Sequence, residues 1–216
     1  MRRGSDASMR LEVISKYETA IAVVTLIVAA GLSVPRAMAV GDAARGETLS
    51  QACLSCHDSE GSRNPDLSYR VPKLGGQKAS YLLVALKAYR DGARRDPGMT
   101  ALAGTLTDQE LADVAAYFAS LGNENSAAGG SPSGSFNAAR NCGACHGQNG
   151  IGLSPGWPTL AGQHEDYLVH ALNQYRSGMR QDPVMSPLVS SLSDETVALL
   201  AKYYSSLEGL RTTEVK

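Results

Sequence analysis

The chain has 216 residues, room for one medium or two small domains, and its 43% hydrophobic and 19% charged side chains are ordinary for a globular protein. A formal net charge of −1 leaves no basic surface of the kind that holds nucleic acid, and there is no succession of long apolar segments to form a transmembrane bundle. Phe is scarce (2) and Tyr common (9), so most aromatics carry a hydroxyl that needs a partner or water.

The first segment reads as an address. Arg2, Arg3, Arg10 and Lys16 precede an apolar run from Ala20 to Val34, followed by Pro35 and the small-x-small pattern Ala37-Met38-Ala39 that a signal peptidase accepts. The run falls short of the ~20 residues a membrane-spanning helix needs. Residues 1–39 are therefore expected to be a signal peptide cleaved after Ala39; an uncleaved anchor is the alternative. Without them, 15 basic side chains face 18 acidic ones.

Beyond the leader, helices joined by long loops are expected and no alternating strand pattern occurs, which makes the fold class all-α. Asp42 can cap a helix running into Cys53. A second helix is predicted over residues 79–91, with Leu82, Ala85, Leu86 and Tyr89 at helical spacing and Gly92 as its stop. A third starts at Thr107, where Glu110 completes a capping box, and Leu111, Val114, Ala115, Phe118 and Leu121 form its apolar stripe. Residues 123–135, rich in Gly and Ser, read as a linker. The pattern then begins again. Ser135 can cap a helix running into Cys142, a helix is predicted over 165–177 with Gly178 as its stop, and Ser193 caps a last one striped by Val197, Leu200, Tyr204 and Leu207. The predicted organisation is domain 1 over 40–122, domain 2 over 136–208, and a tail over 209–216.

The recurrence is an internal repeat. Cys53, Cys56 and His57 return as Cys142, Cys145 and His146 at an offset of 89. Downstream the offset is 86: Pro72, Leu74 and Gln77 return as Pro158, Leu160 and Gln163, Tyr81 as Tyr167, Tyr89 and Arg94 as Tyr175 and Arg180, and Met99 as Met185. The first copy thus holds three extra residues between His57 and Pro72.

Cys-x-x-Cys-His is the attachment signature of c-type haem. On a helix the two thiols share a face and can reach the two vinyl groups of one porphyrin, and the adjacent His is carried under the iron. All four cysteines are used. Zinc ribbons would place their Cys pairs ~15–20 residues apart, and a thioredoxin-like pair would need a βαβ context; neither explains a His after both pairs. A flat apolar cofactor also accounts for the long loops, which can wrap it. Two covalent haem c groups are expected, on Cys53 and Cys56 and on Cys142 and Cys145, with His57 and His146 as proximal ligands.

The distal donor must be soft or an imidazole. Met99, Met179, Met185, His164 and His170 are the candidates. Only Met99 and Met185 occupy equivalent positions, each in an Asp-Pro-x-Met segment of the loop between the second and third helices, so these two are the expected ligands. His/Met coordination leaves no open iron position, which suits outer-sphere electron transfer and weighs against oxygen or peroxide chemistry. Pro72 and Pro158 could present a backbone carbonyl to the proximal His Nδ1–H. Arg90, Arg94, Arg176 and Arg180 could serve either the helix dipole or the haem propionates.

Together the duplicated haem motif, Pro-x-Leu-x-Gly-Gln, Tyr-Leu, Tyr-Arg-x-Gly-x-Arg, the methionine and the closing Ala-x-Tyr helix resemble the dihaem cytochrome c4 family, over about residues 40–208. The resemblance implies two tandem class I cytochrome c domains related by a pseudo-two-fold axis, with their haem propionates near each other. It implies a periplasmic carrier, soluble or loosely membrane-associated, that is not an enzyme. Its donor would be a redox protein such as a quinol-oxidising complex and its acceptor a haem–copper terminal oxidase. The alternative is a dihaem subunit of an oxidoreductase such as a flavocytochrome sulfide dehydrogenase. Self-contained thiosulfate oxidation would be expected to need a Cys on one iron, and no Cys is spare. The first copy departs from the pattern at His57-Asp58-Ser-Glu-Gly61, where the second keeps His146-Gly147 and Gly150, so the two haems should differ in potential.

Overall fold

Where a cap, an apolar stripe and a glycine coincide in the sequence, a helix forms between them. The computed structural model describes residues 40–57, 68–122 and 137–212, and shows helices α1 (Ala43–Leu49), α2 (Gln51–His57), α3 (Ala79–Arg90), α4 (Pro97–Gly104) and α5 (Asp108–Ser120) in the first copy. The second copy follows with α6 (Asn137–His146), α7 (Glu165–Ser177), α8 (Met185–Val189) and α9 (Asp194–Ser205). The described residues contain no strands, and the fold is two tandem helical domains. The leader, the loop after His57 with its three-residue insertion, the linker, Ser135 and the end of the tail lie outside the described residues.

The capping box is formed: Thr107 Oγ1 accepts from Glu110 N–H at 3.3 Å and Glu110 Oε2 accepts from Thr107 N–H at 2.8 Å. Ser193 Oγ likewise accepts from Thr196 N–H at 3.2 Å. Asp42 caps α1 by accepting from Ala44 and Arg45 N–H, but the helix expected to run unbroken to Cys53 is divided by a turn at Ser50. α7 ends where its glycine allows, with Gly178 at φ 76°, a left-handed conformation that a Cβ would oppose.

The segments holding Met99 and Met185 differ from expectation: they are the short helices α4 and α8 rather than loop. Asp96 Oδ1 accepts from Met99 N–H at 2.9 Å and so caps α4, and Asp182 Oδ1 accepts from Met185 N–H at 2.8 Å in the turn that leads into α8. In the first copy Pro97 occupies the opening turn, where its missing N–H costs nothing.

Each copy packs its middle helix on its last one and its short helix on its middle one. The first core joins Leu54, Leu82, Val114, Ala115 and Phe118; the second joins Ala139, Leu168, Leu200, Ala201 and Tyr204. In the first copy α1 crosses α5 very closely. A Cβ on Gly46 would lie 2.0 Å from Asp113 O, so glycine is what lets the backbones touch. The tail also contributes: Leu210 is buried and donates to Ala161 O at 2.8 Å, while Arg211 and Gly75 exchange backbone bonds of 3.0 and 3.1 Å. No helix among the described residues is long and apolar enough to cross a membrane.

Candidate metal centres

Each Cys-x-x-Cys-His motif closes a helix. Cys53 and Cys56 lie on α2, which ends at His57, and Cys142 and Cys145 lie on α6, which ends at His146. None of the four is in a disulfide. Burial pushes the Cys53 and Cys142 thiols above the usual range.

Both histidines are buried, and both have their rings fixed by the prolines singled out in the sequence. His57 Nδ1–H donates to Pro72 O at 2.8 Å, and His146 Nδ1–H donates to Pro158 O at 2.9 Å. Desolvation lowers both imidazole pKa values, the proline carbonyls opposing it only in part. The rings are therefore held neutral, with Nε2 as the nitrogen that can coordinate. Met99 and Met185 are half-buried at the starts of α4 and α8.

The remaining candidates are engaged differently. Met179 is 43% exposed and its carbonyl accepts from Arg95 N–H at 3.3 Å. His170 stacks on Tyr69, with ring centroids 3.7 Å apart at 19°. His164 is buried at the N-cap of α7.

The four repeated arginines divide into two kinds. Arg90 pairs with Asp108 at 2.7 Å and Arg176 with Asp194 at 2.6 Å, tying each middle helix to the start of the last one at the surface. Arg94 and Arg180 are buried between the two domains. Their backbones form an antiparallel bridge. Each guanidinium lies 4.4 Å over the ring of its own domain's tyrosine, Arg94 over Tyr89 and Arg180 over Tyr175, and donates to a tyrosine hydroxyl of the other domain, Arg94 to Tyr167 and Arg180 to Tyr81. Burial raises the Tyr81 pKa, but Arg180 and Arg94 beside it outweigh that and hold it below its usual value. Among the described residues neither arginine forms an ion pair with a carboxylate, and Arg94 Nε has no hydrogen-bond partner. A buried cation in that condition is costly unless an anion answers it.

The other interface bonds are reciprocal too. Gln163 Oε1 accepts from Lys73 N–H at 2.9 Å and its Nε2 donates to Lys73 O at 3.0 Å; Gln77 makes the same pair with Thr159, both bonds being 2.9 Å. Such exchange of equivalent partners is what a two-fold relation produces. One flank breaks the symmetry: Arg70 Nε lies 3.0 Å from Asp166 Oδ2, where the matching positions are Gly156 and Ser80. Gln77, Gln163, Tyr81 and Tyr167 are visible in the sequence as repeated positions, and their recurrence is the signal that marks them.

These residues fit a covalent haem in each domain. Paired thiols on one helix face, an adjacent neutral imidazole held by its Nδ1, and two buried guanidiniums lacking an anion are what its vinyl groups, iron and propionates require.

Comparison with known proteins agrees. The family model described as cytochrome c matches twice, over residues 43–122 and 134–208. The chain is 34% identical over 202 residues to cytochrome c4 of Pseudomonas aeruginosa, covering 85% of this chain and 97% of that one. It is 34% identical over 172 residues to a thiosulfate dehydrogenase electron acceptor of Stutzerimonas stutzeri, covering 72% and 79%. The crystal structure of reduced recombinant cytochrome c4 from Pseudomonas stutzeri superposes with a TM-score of 0.62 at 30% identity, covering 79% of this chain and 100% of that one.

Proposed function

The chain belongs to the dihaem cytochrome c4 family and carries two covalent haem c groups, and on that premise we propose that it is a periplasmic electron carrier of a respiratory chain, delivering electrons to a haem–copper terminal oxidase. The reading rests above all on one observation: both copies offer the same donor set, an imidazole tied to a proline carbonyl and a methionine anchored by an Asp-Pro turn. We assign the thioether bonds to Cys53, Cys56, Cys142 and Cys145, and the residues that would hold each iron to His57 with Met99 and His146 with Met185.

When bound, each haem supplies a one-electron couple. The chain's residues set its conditions. Burial keeps the imidazoles neutral, the proline carbonyls raise their donor strength, and with a His and a Met held to each iron no position would remain for a substrate. Arg94 and Arg180 hold positive charge at the domain boundary, where propionate carboxylates would answer it. That ligand set would suit a carrier rather than an enzyme. Export follows from the leader expected at residues 1–39.

A second reading concerns the donor. Similarity to a thiosulfate dehydrogenase electron acceptor supports a sulfur-oxidising oxidoreductase as the source of electrons, with this chain as its dedicated acceptor. Each is tested on its own side: the reduced holoprotein is mixed with membranes bearing a haem–copper oxidase, and the oxidised holoprotein with thiosulfate and its dehydrogenase. Cyanide-sensitive reoxidation is expected for a respiratory carrier, and a rate no faster than autoxidation would contradict it. Rapid reduction of both haems by thiosulfate and its dehydrogenase would favour the second reading.

A further inference from the structure

The reciprocal glutamine bonds fall on two particular peptide groups. Pro72 C=O, which accepts from His57 Nδ1–H, and Lys73 N–H, which donates to Gln163 Oε1, are opposite ends of one peptide unit. Pro158 C=O and Thr159 N–H form the matching unit, bonded to His146 and to Gln77. A peptide unit is planar and turns as a body, so the group that fixes its N–H also fixes the direction of its C=O.

Each glutamine grips a second atom as well, donating to Lys73 O at 3.0 Å or Thr159 O at 2.9 Å. Both glutamine side chains are buried, at 4% and 5% exposure, and each Oε1 also accepts from the next residue's backbone, Lys78 or His164 N–H. The amides are thus locked in one orientation. Hydrogen bonds in series polarise one another: an acceptor on the peptide N–H makes its carbonyl a stronger acceptor, and that carbonyl draws the imidazole N–H and makes the ring a better donor to a metal.

We propose that Gln163 and Gln77 are positioning residues that set the reduction potential of the haem in the opposite domain: Gln163 acts through the Pro72–Lys73 peptide on His57, and Gln77 through the Pro158–Thr159 peptide on His146. The relay runs across the domain boundary in both directions. A stronger imidazole donor favours ferric iron, so each glutamine lowers the potential of the other domain's haem. The proposal rests on His57 and His146 being the proximal ligands.

That premise is checked first. The oxidised native holoprotein should show two hyperfine-shifted imidazole signals assigned to His57 and His146, and their absence would remove the ligand assignment itself. Gln163→Met and Gln77→Met are then titrated, with the haems distinguished by their ring-methyl resonances. Gln163→Met should raise the potential of the haem on Cys53 and Cys56 by about threefold in its redox equilibrium, ~30 mV at ~59 mV per tenfold for one electron, with the other haem unmoved and the His57 ring N–H shifted. Gln77→Met should do the reverse. A shift in the variant's own domain, equal shifts in both haems, or no shift would each overturn the proposal; equal shifts are what mere loosening of the interface would give. If either Met variant does not fold, Gln163→Glu or Gln77→Glu, which keeps the length and when ionised offers the peptide N–H a stronger acceptor, should lower the opposite domain's haem potential instead, with the haem of its own domain less moved.

Discussion

At position 113 the first copy has an aspartate where the second, at 199, has a leucine. Asp113 is 1% exposed, pairs with Arg45 Nη2 at 2.6 Å and accepts from Asp42 N–H at 2.8 Å and Gln109 Nε2 at 3.0 Å, whereas Leu199 is 43% exposed. Burial pushes the Asp113 carboxyl upward, but the Asp42 amide, Gln109 and Arg45 together outweigh it and hold it below the usual range. A carboxyl depressed in the folded state stabilises fully above its unfolded pKa of ~3.9 and loses that contribution as pH falls through the lower folded value. The first domain should therefore lose stability on acidification below about pH 4. Asp113→Asn should cost about 1–3 kcal/mol at neutral pH and flatten that acid limb in denaturant titrations; an unchanged limb would contradict the assignment. This residue was not legible beforehand. Its neighbours Leu111, Val114 and Ala115 announce the helix face, but burial of a carboxylate between them depends on which helix crosses and how closely. The haem cysteines and histidines, by contrast, were legible because one spacing serves one chemistry.

For whole elements, agreement follows the strength of the local signals. α3, predicted over 79–91, spans Ala79–Arg90, and α7, predicted over 165–177, spans Glu165–Ser177, because stripe and glycine stop coincide in each. The α4 and α8 segments are expected as loop, although Asp96-Pro97 is an N-cap followed by an N1 proline and Asp182-Pro183 repeats it just before α8. Each is too short to show an apolar period. The α1–α5 crossing belongs to neither helix alone. It requires Gly46, where an added Cβ would sit 2.0 Å from a backbone oxygen of α5 that cannot yield. Gly46→Ala should destabilise the first domain by about 1–3 kcal/mol, read as a lower denaturation midpoint for the Cys53/Cys56 haem environment. The same substitution at Gly156, whose Cβ would meet nothing within 4 Å, should leave the midpoint nearly unchanged. Equal effects would mean the crossing is not set by that contact.

As a whole the molecule is two copies of one unit joined by residues that the copies share. The repeat revealed Gln77 and Gln163, Tyr81 and Tyr167, and Arg94 and Arg180 as equivalent pairs, but equivalence in sequence does not say whether matched residues face their own core or each other. Here they cross over, so one residue type at one position serves both sides of the boundary. That economy is why the interface is rich in repeated polar side chains, and why the asymmetric Arg70–Asp166 pair and the Tyr69–His170 stack needed the structure to be found. The central claim is that both irons are closed by His and Met and serve only to pass electrons. It is tested most directly by the visible spectrum of the oxidised holoprotein through a redox titration, with Met99→Ala, Met185→Ala and Met179→Ala beside it. The account predicts two one-electron steps and a methionine-to-iron charge-transfer band from each haem, one lost in Met99→Ala, the other in Met185→Ala, and both kept in Met179→Ala. Loss of a band in Met179→Ala, or carbon monoxide binding at either iron of the reduced native protein, would contradict it.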